Sequence, residues 1–220
     1  MIKKIYYWLH KRISRPEERG EYSSGHWQQV VRAEAFELCT RDEGNVLEVG
    51  CGEGLFLAKL AKEKRDLDIH GVDIWKDILD KAKNRFEENN ITNVKLHHCD
   101  ASSLVFENNF FDVVVCINVF FNLPSKEMFN KSLQETSRVC KSGGKIILDI
   151  RNSMNPFLWV KYRLAKYYDE TVKDLPLKMY RLKNVTSLLE QHNCEIVNKV
   201  YVGFPRGAFA PVIIIEARKR

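Results

Sequence analysis

An apolar run, Asn45-Val46-Leu47-Glu48-Val49, leads straight into Gly50-Cys51-Gly52-Glu53-Gly54. A second apolar run, Ile69-His70-Gly71-Val72, ends on Asp73. Glycine at every second position lets backbone come very close to a ligand. A carboxylate closing the neighbouring strand can accept hydrogen bonds from ribose hydroxyls. Together they describe a crevice at strand ends that holds a nucleoside.

The spacing separates this loop from the dinucleotide fingerprint Gly-x-Gly-x-x-Gly, in which two residues precede the third glycine and a helix N-terminus receives a pyrophosphate. Here Gly54 comes one residue early, and Glu48 and Glu53 bring negative charge. That field repels a pyrophosphate and attracts an ammonium or sulfonium centre. The residues point to a cationic nucleoside and away from a nicotinamide-dependent oxidoreductase.

The elements that must position these residues alternate regularly. Helical spacing predicts helices over residues 2–13 and 26–39, with a break at Arg15-Pro16-Glu17-Glu18-Arg19-Gly20. Strands are then expected at 46–49, 69–72, 94–97, 112–117 and 145–150. Helices are expected at 55–64, 76–88 and 126–140, with a short crossover near 101–104. The turn Lys141-Ser142-Gly143-Gly144 leads into the fifth strand. Continuous apolar strands alternating with helices imply an α/β fold with a parallel sheet covered on both faces. A later helix at 185–192 precedes strands at 195–202 and 212–217, which suit a hairpin at the sheet edge.

The segment Val46–Gly54 resembles the first motif of class I S-adenosylmethionine-dependent methyltransferases, closest to the small-molecule group that includes the ubiquinone and menaquinone methyltransferases. The resemblance spans roughly residues 40–150. It implies a Rossmann-like, doubly wound, seven-stranded sheet, mostly parallel with an antiparallel strand near the C-terminus. It also implies S-adenosyl-L-methionine as cofactor, held by Glu48, Gly50, Cys51, Gly52 and Gly54 of the loop. Asp73 stands where the family binds both ribose hydroxyls, and Ile74 and Trp75 follow as an apolar wall for adenine. His98-Cys99-Asp100-Ala101 resembles the third motif, with Asp100 accepting from the adenine amino group and the amide of Ala101 meeting the ring. For Asp100 a helix-capping role fits equally well. Asn118 ends the fourth motif beside the methionine part, or simply ends a strand. Phe120 and Phe121 line an apolar pocket or pack under the crossover.

Methyl transfer asks mainly for alignment and exclusion of water, and a hydroxyl acceptor also needs a base. His26, beside Trp27, is the candidate, with Tyr22 as a second contact; His97 and His98 lie near a strand end. Adenine-amino methylating enzymes carry an Asn/Asp-Pro-Pro-Tyr/Phe run after the fourth strand. Ile117-Asn118-Val119-Phe120-Phe121-Asn122 stands there instead, which implies another acceptor. The reading is transfer to a small-molecule or lipid-linked acceptor at oxygen or carbon, the alternative being a non-catalytic binding module or partner subunit.

The 220 residues suit one α/β domain with additions. Its expected parts are an N-terminal helical cover (1–40), a binding core (41–150), an insertion shaping the acceptor site (151–183) and a C-terminal helix and hairpin (184–220). The net charge of +6 is uneven. Residues 1–20 hold six Lys/Arg against two Glu, and 151–183 eight against three acids, whereas 41–150 hold fifteen against eighteen. A nucleic-acid-coating protein spreads its basic charge more widely, so nucleic acid is not the expected partner. The basic flanks are also rich in aromatics, as in Phe157–Tyr168. They suit amphipathic packing, peripheral contact with anionic lipid, or the grip of an anionic acceptor. Six cysteines without a Cys-x-x-Cys pair argue against zinc or a disulfide framework, so no metal is expected. With no secretory signal or membrane span in the pattern, the expected location is cytoplasmic, with membrane-peripheral contact as the open alternative.

Overall fold

The computed structural model describes residues 26–39, 44–64, 66–168 and 175–220. The expected helix over 2–13, the break at 15–20 and Tyr22 lie outside the described residues. The described elements run in the order α1 (His26–Cys39), β1 (Asn45–Val49), α2 (Leu55–Glu63), β2 (Asp68–Asp73), α3 (Lys76–Glu88), β3 (Val94–His98) and β4 (Phe111–Cys116). They continue with α4 (Lys126–Val139), β5 (Cys140–Arg151), α5 (Pro156–Tyr168), α6 (Leu182–Gln191), β6 (Cys194–Val202) and β7 (Val212–Lys219).

Consecutive strand residues feed opposite cores. Val46 of β1 packs with α1, α2 and α3, through Phe36, Leu57 and Phe86 among others. Its neighbour Leu47 packs with α4 and α6, through Phe129, Leu133 and Leu189. The same division separates Val113 and Val115 from Val114 and Cys116, and Ile147 from Ile146 and Leu148. Strands buried on both faces have no polar alternation to show, which explains their continuous apolar runs. The strand order is β3-β2-β1-β4-β5-β7-β6. The pairs β1–β2, β2–β3, β1–β4 and β4–β5 are parallel. Strand β7 is antiparallel to both β5 and β6. The chain leaves β1 towards β2 and returns to β1's other side as β4, so a crevice opens between β1 and β4 at their C-terminal ends.

Two details depart from the sequence expectation, both at the start of β5. Helix α4 stops at Val139, and β5 already begins at Cys140. Phe111 registers with Cys140 and Val113 with Lys145, so the expected turn 141–144 is a bulge within the strand. The Lys141 ammonium holds that bulge, reaching both Asp112 carboxylate oxygens at 2.8 Å. The C-terminal hairpin forms at the sheet edge as expected, with β6 outermost. Strand β7, with its buried Val212-Ile213-Ile214-Ile215 run, lies between β5 and the edge strand β6.

The loop from β3 to β4, which carries Asp100, contains no helix. Arg138 of α4 clamps it by donating to the carbonyls of Phe106 (2.7 Å) and Leu104 (2.9 Å). Glu135 accepts from the Leu104 amide at 2.8 Å and from Arg138 Nε at 2.7 Å. Arg138→Ala leaves two carbonyls without their charged donor and is expected to cost about 1–3 kcal/mol in chemical denaturation. A change below roughly 0.5 kcal/mol, the range of an ordinary surface substitution, would show that the loop holds without the clamp.

Candidate functional site

A cavity of about 510 Å³ lies at the C-terminal ends of β1, β2 and β4. Glu48, Gly50, Cys51, Gly52, Asp73, Ile74, Asp100, Ala101 and Asn118 all line it. Of the candidate binding residues, Gly54 alone is not part of the wall.

The glycine loop is stitched to β2. The amides of Gly50 and Cys51 both donate to the Val72 carbonyl, at 2.8 and 2.9 Å. The Gly52 amide donates to Asp73 Oδ2 at 2.9 Å, and the Trp75 amide to Asp73 Oδ1 at 3.0 Å. These bonds fix the Asp73 carboxylate at the cavity wall and leave acceptor capacity on both oxygens. Burial pushes its pKa above the ordinary range, with the backbone donors opposing. Beside it, Ile74 and Trp75 are half exposed and form part of the wall.

Glu48 has the most unusual environment. It points from a buried strand into the cavity, and its Oε2 has no hydrogen-bond partner. Burial drives its pKa well above the carboxylate range, the Arg32 charge opposes this, and the Asp73 charge adds to it. Arg32 and Gln28, one turn apart on α1, also face the cavity. An orphaned buried carboxylate oxygen is a place where a ligand donor or cation belongs. The open space around the position of a Gly52 Cβ gives a ligand close access to backbone.

Asp100 does not cap a helix. Its Oδ1 accepts from the amide (2.7 Å) and hydroxyl (2.8 Å) of Ser102, which closes a turn. Asn118 takes a left-handed backbone with φ 61°. Its amide donates to Asp149, and its side-chain oxygen accepts from Arg151 at 2.8 Å. Asp149 and Arg151, both buried at the end of β5, form an ion pair. Sequence reading did not single out this pair. Its signal was an Asp-x-Arg at the close of an apolar strand, where i and i+2 share a face. Also unforeseen are Asn122, whose Oδ1 is buried without a partner, and Leu175 and Pro176, which reach the cavity from the segment after α5.

Phe120 and Phe121 are buried outside the cavity wall, so the packing role holds. Phe120 meets Phe129 edge-on with ring centres 4.9 Å apart. His97 stacks on His70 at 5.2 Å, and His98 Nε2 lies 2.8 Å from the Ile74 carbonyl. Neither His97 nor His98 is part of the cavity wall. His26 opens α1, and its side chain lies outside the described residues, as does Tyr22.

Gly54 serves packing. Its backbone is left-handed, and a Cβ there would stand 2.6 Å from Phe86 Cζ and 3.2 Å from Ala82 Cβ. Its missing side chain lets α3 close on the start of α2.

Residues 46–144 match the family model described as "Methyltransferase domain". A ubiquinone biosynthesis O-methyltransferase of Coxiella burnetii is 29% identical over 108 residues, covering 49% of this chain and 44% of that protein. A demethylmenaquinone methyltransferase of a Geobacillus strain is 31% identical over 102 residues, covering 46% and 42%. The chain thus spans less than half the length of these curated relatives. The fold matches magnesium protoporphyrin IX methyltransferase from Synechocystis, solved with bound SAH, at TM-score 0.72 and 17% identity, over 100% of this chain and 96% of that one. It likewise matches the PH0226 protein of Pyrococcus horikoshii at TM-score 0.70 and 19% identity, covering 98% and 99%. Residues 46–144 are thus similar to a methyltransferase domain, and the chain shares its fold with these solved structures.

Gly54 and Gly52, with contrasting surroundings, should separate in a thermal unfolding experiment. Gly54→Ala is expected to cost about 2–4 kcal/mol from strain and overpacking. Gly52→Ala, in open space, should cost only about 1 kcal/mol of backbone strain. Equal losses would contradict the packing role of Gly54.

Proposed function

We propose that this chain transfers a methyl group from S-adenosylmethionine to a small-molecule or lipid-linked acceptor, at oxygen or carbon. The observation that carries the reading is the Glu48 oxygen left unpartnered in a cavity whose other walls carry Asp73 and Asp100. Names of the relatives agree in kind, since they specify a quinone pathway, a menaquinone precursor and a porphyrin.

In this reading Asp73, oriented by the amides of Gly52 and Trp75, accepts from the ribose hydroxyls. Ile74 and Trp75 cover one adenine face, and Asp100 with the Ala101 amide meets its polar edge. Glu48 balances the positive charge of the methionine end, beside the backbone of Gly50, Cys51 and Gly52. Asn118, held by Asp149 and Arg151, closes the cavity next to that end. The bound cofactor supplies an electrophilic methyl on a sulfur that is already a good leaving group, so the protein's part is alignment and exclusion of water. Arg32 and Gln28 of α1, with Leu175 and Pro176, belong to the acceptor side, and the insertion 151–183 shapes it. For a hydroxyl acceptor, His26 at the start of α1 is the base we carry forward, with Tyr22 as its companion. Cytoplasmic placement with peripheral membrane contact through the basic aromatic segments fits a lipid-linked acceptor. Among the described residues, no helix is long and apolar enough to cross a membrane.

Titration calorimetry should give micromolar S-adenosylmethionine binding that Asp73→Ala weakens by about tenfold or more, the loss of hydrogen bonds to a charged acceptor. A protein that binds nothing, or a mutant that binds normally, would overturn the reading. Binding without transfer of radiolabel to any quinone, porphyrin or lipid-extract acceptor would instead favour a non-catalytic module.

Affinity should also depend on pH. Ionised Glu48 and Asp73 suit the cation and the ribose donors, and both pKa values are raised. Affinity is therefore full above those raised values and falls as pH drops through them, earlier than ordinary carboxylates would dictate. Glu48→Gln should remove the upper part of this dependence, and an unchanged profile would exclude Glu48 from the site.

A further inference from the structure

Helix α5 is apolar on two opposite faces. Its inner face buries Leu158 and Ala165, and the Tyr162 hydroxyl hydrogen-bonds Arg151. This contact fixes which face looks outward. On that outward face Phe157, Val160 and Leu164 recur at i, i+3 and i+7 and are 61%, 50% and 48% exposed. Trp159 and Tyr167 flank the stripe, at 53% and 68%. Asn155 caps the helix, accepting from the Leu158 amide at 2.6 Å, and also donates to the Phe209 carbonyl at 2.7 Å. The exposed Phe209 is thereby held beside the helix start. A helix apolar all round is ordinarily enclosed by its own protein. Scattered exposed apolar residues are common, but a contiguous patch on adjoining segments marks an interaction surface.

The charge on this surface selects the partner. Within 156–168 the sequence has Lys161, Arg163 and Lys166 and no acid. The Arg163 guanidinium lies 5.4 Å from the centre of the Trp159 ring. Lys and Arg among Trp, Tyr and Phe suit the boundary of an anionic bilayer, where rings sit at headgroup depth and cations meet phosphate. A second copy docked through the same face would set like charges against each other.

We propose that the outer face of α5 lies flat against an anionic lipid bilayer. Leu175 and Pro176, just beyond this helix, line the cavity. Docking would therefore present the acceptor side of the cavity to the membrane. That last step rests on the function proposed above, whereas the docking does not.

Flotation of the full-length protein with phosphatidylcholine vesicles, with and without phosphatidylglycerol, tests this surface. The expected result is partition onto the anionic vesicles, weakening as salt rises. Joint Trp159→Ser and Leu164→Ser should reduce partition by about tenfold. Joint Lys161→Glu and Arg163→Glu should abolish the preference for anionic vesicles. These positions lie outside the cavity wall, so each variant should keep the parent protein's S-adenosylmethionine affinity, which establishes that it is folded. Absence of partition, or partition that both variants retain, overturns the proposal. A dimer in solution that dissociates in the same variants would assign the face to a second copy and overturn it as well. Failure of the parent protein to bind S-adenosylmethionine, with flotation intact, counts against the proposed function alone.

Discussion

The cavity depends on how closely the loop after β1 can lie against the end of β2. Two consecutive amides, of Gly50 and Cys51, converge on the Val72 carbonyl, and the next links Gly52 to Asp73. Strand ends that merely neighbour each other in a parallel sheet are tied into a single wall. Asp73 is thus a structural acceptor in its own right, held by two backbone amides. Its orientation is settled by backbone donors, so in the proposed function the carboxylate is fixed before any ligand arrives.

Two buried carboxylates show how the same physics yields a closed and an open site. Asp149 has lost its water and recovered partners: the Arg151 guanidinium, and the amide of Asn118. Arg151 is itself satisfied by Asn118 and lies over the Phe121 ring, 4.2 Å from its centre. Removing either member would strand the other charge in the core, so the pair locks the chain at the end of β4, including the left-handed backbone of Asn118. Glu48 has also lost its water, but one of its oxygens recovered nothing. A buried acceptor in that condition is costly unless something from outside completes it. The fold keeps this cost at the cavity wall, where a cationic ligand can offset it.

The segment after β5 links cavity and surface. Its return path is fastened by the Lys178 amide to the Phe121 carbonyl at 2.7 Å, the Tyr180 amide to the Arg151 carbonyl at 2.7 Å, and the Tyr180 hydroxyl to the Phe120 carbonyl at 2.9 Å. Tyr162 of α5 meets the same Arg151 that positions Asn118. A basic, aromatic piece of chain with no obvious place in a doubly wound sheet is therefore anchored on one polar cluster beside the cavity.

The sequence by itself determined the architecture and the line of the cavity wall. Continuous apolar runs specify strands buried on both faces, and the Val46–Gly54 and Asp73 spacing specifies a loop closing on the next strand. These signals are local, and each fits within one strand and its following turn. What needed the tertiary structure depends on residues far apart in the chain. Gly54 reads as one more loop glycine until Phe86 and Ala82 of α3 are seen occupying the space its side chain would take. The strand from Cys140 reads as a turn because its bulge is held by Asp112, on another strand. Asp149 and Arg151 read as the polar end of β5 until Asn118 arrives between them, and Leu175 and Pro176 carry no motif at all. Periodicity and motif spacing record what a residue does within its own element, whereas burial, pairing and cavity shape arise only when separate elements meet.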